Sequence, residues 1–124
     1  MLLDTAVMIF AAESPGRLTK RAKAALEDLG NILELSAVSL TEIAIKAALG
    51  KLGLTADVTR QAVEALDIRI LPYTAEHAYK LFELPLHHFD PFDRQIVAQA
   101  LTENIAVVTP DRSFRLYKGV KVLW

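Results

Sequence analysis

Apolar residues fall in short blocks along the chain, and the spacing inside each block separates strand from helix. Met1–Leu3 is apolar and ends at Asp4, and Ala6–Phe10 is too continuous in its apolarity for a surface strand; a buried strand followed by a helix is predicted. From Arg17 to Leu29, the apolar residues Leu18, Ala22, Ala25, Leu26 and Leu29 recur at three- and four-residue spacing, with Gly30 where a helix would stop. Ile32–Val38 predicts a strand, and Ser39-Leu40-Thr41-Glu42 fits a capping box opening a helix that ends at Gly50. Thr55 and Thr74 suit the N-caps of two further helices, on either side of the strand-like Ile68–Leu71 that Pro72 terminates. Asp90-Pro91 supplies a cap and a first-turn proline for a helix running to about Asn104, and Ile105–Thr109 and Val120–Trp124 close the chain as apolar strands.

Strands alternating with helices predict an α/β sandwich with a mostly parallel sheet. At 124 residues, 52% of them apolar and 23% charged, the chain suits one folded domain spanning 1–124, which excludes disorder and collagen-like repeats. It has no Cys, so neither disulfides nor thiolate metal sites are available. The charge-free run Thr5–Ala12 falls well short of the ~20 apolar residues of a membrane span. Asp4, with no Lys or Arg around it, has the wrong sign for a signal peptide, so a cytoplasmic location is expected. A net charge of −1 offers no global field for a polyanion, which leaves any nucleic-acid binding to local patches.

In an open parallel sheet, ligands bind beyond the carboxyl ends of the strands, and the residues that follow the apolar runs here are acidic. Asp4 ends Met-Leu-Leu, Glu42 opens the helix after Ile32–Val38, and Asp111 follows Ala106–Thr109 by two residues. Asp93 lies in the first turn of the helix before that last strand, on the stripe of Ile96, Val97 and Ala100. An inward carboxylate costs several kcal/mol unless paired, protonated or metal-bound. If the four converge to about 5 Å, each pair repels by roughly 3 kcal/mol at an effective dielectric near 20. Raised pKa values or a divalent cation must relieve that repulsion, and an all-oxygen set favours Mg²⁺ or Mn²⁺ over zinc. Such ions usually serve phosphate chemistry.

Each acid also has a plain reading: Glu42 as capping-box residue and i,i+4 partner of Lys46, Asp93 as a first-turn acid, Asp4 and Asp111 as turn residues. Asp90 reads as a helix cap that aims Asp93, or as a fifth ligand; the hydroxyls of Thr5 and Thr109 adjoin two of the acids and could orient them. His87 and His88 lack the spacing of a zinc pair and read as structural, or as lying near a phosphate. Basic residues cluster at Arg17, Lys20, Arg21 and Lys23 and again near the C-terminus, while Arg94 and Arg112 stand beside the acids as candidate phosphate contacts. Val7, Ile9, Phe10 and Tyr79–Phe82 read first as core.

Leu2-Leu3-Asp4-Thr5, Ser39–Lys46, Leu49-Gly50-Lys51-Leu52, His87-His88-Phe89-Asp90-Pro91-Phe92-Asp93-Arg94, Ala98-Gln99-Ala100 and Val108-Thr109-Pro110-Asp111 resemble, in order, the PIN-domain ribonuclease toxins of VapC type. The closing Val120–Trp124 is similar as well. Ala6 stands where members often carry His, and Glu13–Arg17 is shorter than their common form. The resemblance implies a three-layer PIN-like sandwich with helices on both faces, and Asp4, Glu42, Asp93 and Asp111 as catalytic, metal-binding acids. It further implies an Mg²⁺- or Mn²⁺-dependent endoribonuclease, the toxin of a type II toxin–antitoxin pair, silenced by a cognate antitoxin and forming homodimers. Two other readings use the same acids: a non-toxin PIN nuclease of RNA processing, and a non-catalytic protein-binding module in which they only cap helices.

Overall fold

In the computed structural model, which describes residues 1–124, five short parallel strands form a single sheet. These are β1 (Leu2–Leu3), β2 (Glu34–Ser36), β3 (Arg69–Leu71), β4 (Val107–Val108) and β5 (Val122–Leu123), in the order β3-β2-β1-β4-β5 across the sheet. Six helices connect them: α1 (Thr5–Glu13), α2 (Lys20–Glu27), α3 (Ala37–Ala48), α4 (Ala56–Ala65), α5 (Ala75–Leu81) and α6 (Pro91–Glu103). Turns of 3₁₀ helix occupy Pro15–Arg17 and Arg112–Leu116. The α/β sandwich expected from the alternating pattern is what forms.

Period-two alternation along the strands creates two cores, one on each face of the sheet. Leu3, Leu35 and Val108 join Val7, Met8, Ala22, Leu26 and Ile43 in one cluster, beneath α1, α2 and α3. Their sequence neighbours Leu2 and Val107 join Ile96, Val97, Ala100 and Phe114 in the other, beneath α6 and the 3₁₀ turn. A strand buried on both faces must be apolar throughout, which is why β1 and β4 show no polar position. No helix is long and apolar enough to cross a membrane.

Three expectations change. The cap of α3 is Ser36, not Ser39: its side chain accepts the Val38 N–H at 3.0 Å, so the strand ends earlier than Val38. Ser39 and Glu42 therefore lie inside the helix, both buried, and the apparent capping box does not operate. Helix α2 spans only Lys20–Glu27, because Thr19 caps it and Asp28 turns back to accept the Gly30 N–H at 2.9 Å; Leu29 is left exposed. Tyr79 and Phe82 are not core: they are 64% and 89% exposed, since α5 meets the rest of the fold through His77, which is 1% exposed. Caps at Thr55, Thr74 and Asp90 form where the pattern puts them.

Candidate metal centre

All four acids lie just past the carboxyl ends of the central strands or on the helices that start there. Asp4 leaves β1 with its N–H donating to the Val108 carbonyl at 3.0 Å, which fixes it in the N-cap position of α1. Its side chain nevertheless makes no capping hydrogen bond. The Oδ2 atom instead accepts the Thr109 hydroxyl at 2.6 Å, on the far side of the β1–β4 pairing. Glu42 sits in the middle of α3, where Oε2 accepts from the Lys46 ammonium one turn on at 2.5 Å. Its other oxygen, Oε1, is buried and has no partner.

Asp93 and Asp111 form a second, shallower pair. Asp90 Oδ1 accepts the Phe92 and Asp93 N–H groups at 2.8 and 3.3 Å, so it caps α6 and orients the first turn that carries Asp93. The Asp111 N–H donates to Thr109 Oγ1 at 3.0 Å, and its Oδ1 accepts the Ser113 N–H at 2.8 Å. Thr109 thus ties an inner acid to an outer one with a single hydroxyl. Between the outer acids stands His88, with Nε2 at 2.8 Å from Asp111 Oδ2 and 3.1 Å from Asp93 Oδ2.

Asp4, Glu42, Asp93 and Asp111 line one open cavity of about 550 Å³, together with Asp90 and three cations, Arg17, Lys46 and Lys51. Burial pushes the Asp4 carboxyl above its ordinary value, the Thr109 hydrogen bond opposes the shift, and the nearby Glu42 and Asp111 charges add to it. Asp93 is raised to about 7, first by burial and then by the charges of Asp4 and Asp90. Burial also acts to raise Asp111, but the hydrogen bonds from Ser113 and His88 outweigh it and leave this carboxyl below the usual range. The hydrogen bond to Glu42 raises the Lys46 ammonium. An orphaned buried acceptor such as Glu42 Oε1 costs about 1–3 kcal/mol, and a cation entering the cavity would meet it along with acids already short of charge compensation. Carboxylate oxygens without thiolates fit a hard divalent ion.

A sequence model of the PIN domain matches residues 1–120. The chain belongs to the PIN domain family. No curated protein matches it significantly by sequence. Among solved structures, it is similar to VapBC2 from Rickettsia felis bound to a promoter DNA fragment, with 18% identity, a TM-score of 0.74, and coverage of 98% of this chain and 95% of that one. DNA-bound VapBC from Salmonella typhimurium gives 19% identity, a TM-score of 0.74 and coverage of 98% and 94%. FitAcB from Neisseria gonorrhoeae gives 23% identity, a TM-score of 0.64 and coverage of 98% and 94%. At these identities the likeness establishes the PIN architecture.

Within this PIN domain, the remaining candidate residues divide clearly. Thr109 touches the acids directly, and Asp90 is spent on the cap. Thr5 lines the cavity but donates its hydroxyl to Ser39 Oγ at 2.9 Å, joining α1 to α3. Arg94 does not face the acids: its guanidinium donates to the Pro85 carbonyl at 2.9 Å and reaches the Leu84 carbonyl and Tyr117 hydroxyl at 3.5 Å, holding the segment before α6. Adjacency in sequence misleads here, because consecutive residues of a helix point about 100° apart. Arg112 is exposed at the start of its 3₁₀ turn and is not among the residues around the cavity. The cations beside the acids are Arg17, whose guanidinium stacks 3.9 Å over Phe10, and the two lysines. His88 is the contact that sequence reasoning missed: two adjacent histidines in a loop carry no periodicity to say which one turns inward.

Proposed function

We propose that this PIN domain is a divalent-metal-dependent endoribonuclease acting as the toxin of a VapBC-type pair. One observation carries the reading: four acids from four separate segments line a single cavity in which the buried Glu42 Oε1 has no partner. PIN-family membership supports a hydrolase of phosphodiester bonds. The neighbours named as VapBC support a cognate antitoxin as the partner.

Asp4, Glu42, Asp93 and Asp111 would hold the ion, Mg²⁺ or Mn²⁺. When bound, such an ion lowers the pKa of water and neutralises charge developing on a phosphoryl group. By donating to Asp4, Thr109 opposes the upward pull of burial on its carboxyl and favours the charged form that a cation would meet. Asp93, raised to about 7, releases its proton near neutrality when a cation competes for it. Arg17, Lys46 and Lys51 on the rim attract the RNA backbone toward the acids, and so replace Arg94 as phosphate contacts. No side chain is called on to form a covalent intermediate.

Partner binding has a candidate surface as well. An apolar groove of about 570 Å³ runs between α3 and α4, with Leu40, Ile43, Ala47 and Val63 along it. Helix α3 therefore carries Glu42 on one side and a partner-sized apolar face on another, which would couple antitoxin docking to the acids. The exposed Tyr79 and Phe82 suit contact with a second copy in a homodimer. The deciding experiment has two arms. Calorimetry should detect Mn²⁺ binding that Asp4→Asn weakens, and expression of the chain alone should arrest growth while the Asp4→Asn form does not. An Asp4→Asn protein that is equally toxic overturns the catalytic reading.

A further inference from the structure

Distance alone makes His88 look like a metal ligand, because its ring nitrogen and the Asp93 and Asp111 oxygens all lie within 4.8 Å of one another. The other side of the ring contradicts that impression. His88 Nδ1 accepts the Asp90 backbone N–H at 3.0 Å, so Nδ1 must carry a lone pair and the ring proton must sit on Nε2. That Nε2–H points at Asp111 Oδ2 and Asp93 Oδ2. The ring cannot turn over without losing both contacts, and it also packs edge-on against the buried Phe114, with centroids 6.4 Å apart.

We infer that His88 is a hydrogen-bond donor locked in one tautomer by the Asp90 N–H, which gathers the Asp93 and Asp111 carboxylates and is itself withheld from the metal. Ligation through Nε2 would require moving the proton to Nδ1. Two N–H groups would then face each other at the position of the present 3.0 Å hydrogen bond, and the start of α6 would lose a contact. A backbone amide thereby sets the chemistry of the site: with its one nearby nitrogen unavailable, the ligand set is all oxygen and selects hard ions such as Mg²⁺ and Mn²⁺ over zinc. The inference rests on the metal-binding reading above for its consequence, though not for the state of the ring.

The test begins without metal. Long-range ¹H–¹⁵N correlation on the ¹⁵N-labelled protein should find His88 with a protonated Nε2 and a bare Nδ1, unchanged when Mg²⁺ is added. A proton on Nδ1 overturns the inference whether or not any ion binds; failure of the protein to bind Mg²⁺ or Mn²⁺ sinks the proposed function instead. Pulsed electron paramagnetic resonance of the Mn²⁺-loaded protein should show no directly bonded nitrogen, and a directly bonded one is equally fatal. His88→Ala should weaken Mn²⁺ binding about 10- to 100-fold, the usual cost of removing an outer partner of a ligand, while His88→Gln, which restores an amide N–H near Nε2, should recover most of it. A Gln variant as weak as the Ala variant, with both folded by circular dichroism, removes the donor role.

Discussion

The two halves of the acid cluster solve the same electrostatic problem by different means. Asp4 and Glu42 are 5% and 4% exposed and sit at the end of β1 and within α3, elements fixed by the core. Each leans on one neighbour, the Thr109 hydroxyl and the Lys46 ammonium respectively. The side chains of Asp93 and Asp111 are 19% and 34% exposed, share His88, and can use water for part of their charge. Burial makes the inner half rigid and leaves Glu42 Oε1 without a partner, whereas partial access to solvent makes the outer half adjustable, even though burial and neighbouring acids still raise Asp93 to about 7. An ion entering the cavity should therefore matter most to the inner acids.

The largest effect that could break this contrast is on catalysis. If Asp4 holds an ion in the proposed nuclease, losing it would forfeit several kcal/mol of charge stabilisation, so Asp4→Asn should lower the rate of RNA cleavage by about 10²–10³-fold. Asp111→Asn should cost nearer tenfold, because both Asp111 oxygens already have protein donors and solvent can substitute in part. Equal losses in single-turnover cleavage assays would erase the distinction between the halves.

Next in size is a pH effect on the metal-free protein. Asp93 titrates near 7 when folded and near its ordinary value of 3.8 when unfolded, so between those values the native state binds the extra proton. Its contribution to stability is complete below about pH 4 and is lost as pH rises through 7. The shift corresponds to about 2–4 kcal/mol. Asp4, also raised, acts in the same direction, and the lowered Asp111 matters only below its ordinary pKa. Urea denaturation should therefore find the metal-free protein less stable at pH 8 than at pH 5, with Asp93→Asn flattening most of that slope. A flat profile in the unaltered protein removes the outer half's role as a proton reservoir.

The same division explains what the sequence made legible. Asp4 and Asp111 could be singled out because short apolar runs mark strand ends, and Asp93 because helical periodicity set it among Ile96, Val97 and Ala100; Glu42 is reached through a capping box that does not operate, since it lies in the middle of α3. The Glu42–Lys46 pair followed from i,i+4 spacing. His88 could not be found, since its position depends on how the loop before α6 packs against Phe114. Arg94 was misread for the complementary reason: its neighbour Asp93 faces the cavity, so the arginine must face elsewhere. Ser36 displaced Ser39 as a cap because several serines and threonines near a helix start compete, and the strand length decides among them.

Thr109 lies between the halves and gives a smaller test. Its hydroxyl makes a buried, charge-assisted hydrogen bond to Asp4, so Thr109→Val should destabilise the metal-free protein by about 1.5–3 kcal/mol at pH 8. As the pH is lowered the loss should shrink, because without the Thr109 hydrogen bond burial and the neighbouring charges favour the protonated Asp4 carboxyl, and protonation relieves the uncompensated charge. A loss independent of pH would mean that Thr109 serves packing rather than charge.

The smallest expected effect bears most directly on the inner acids. Lys46 is half-exposed and its ion pair is screened by water, yet the partner Glu42 is buried. Lys46→Gln should therefore destabilise the metal-free protein by only about 1 kcal/mol. With saturating Mn²⁺ the ion itself compensates Glu42, and the penalty should vanish. Linkage then fixes the sign of a second measurement. A variant that is less stable empty and equally stable loaded must bind the ion more tightly, by about fivefold for 1 kcal/mol. If calorimetry finds that Lys46→Gln binds Mn²⁺ more weakly, the ammonium supports the ion rather than standing in for it, and the inner acids are not waiting for a cation at all.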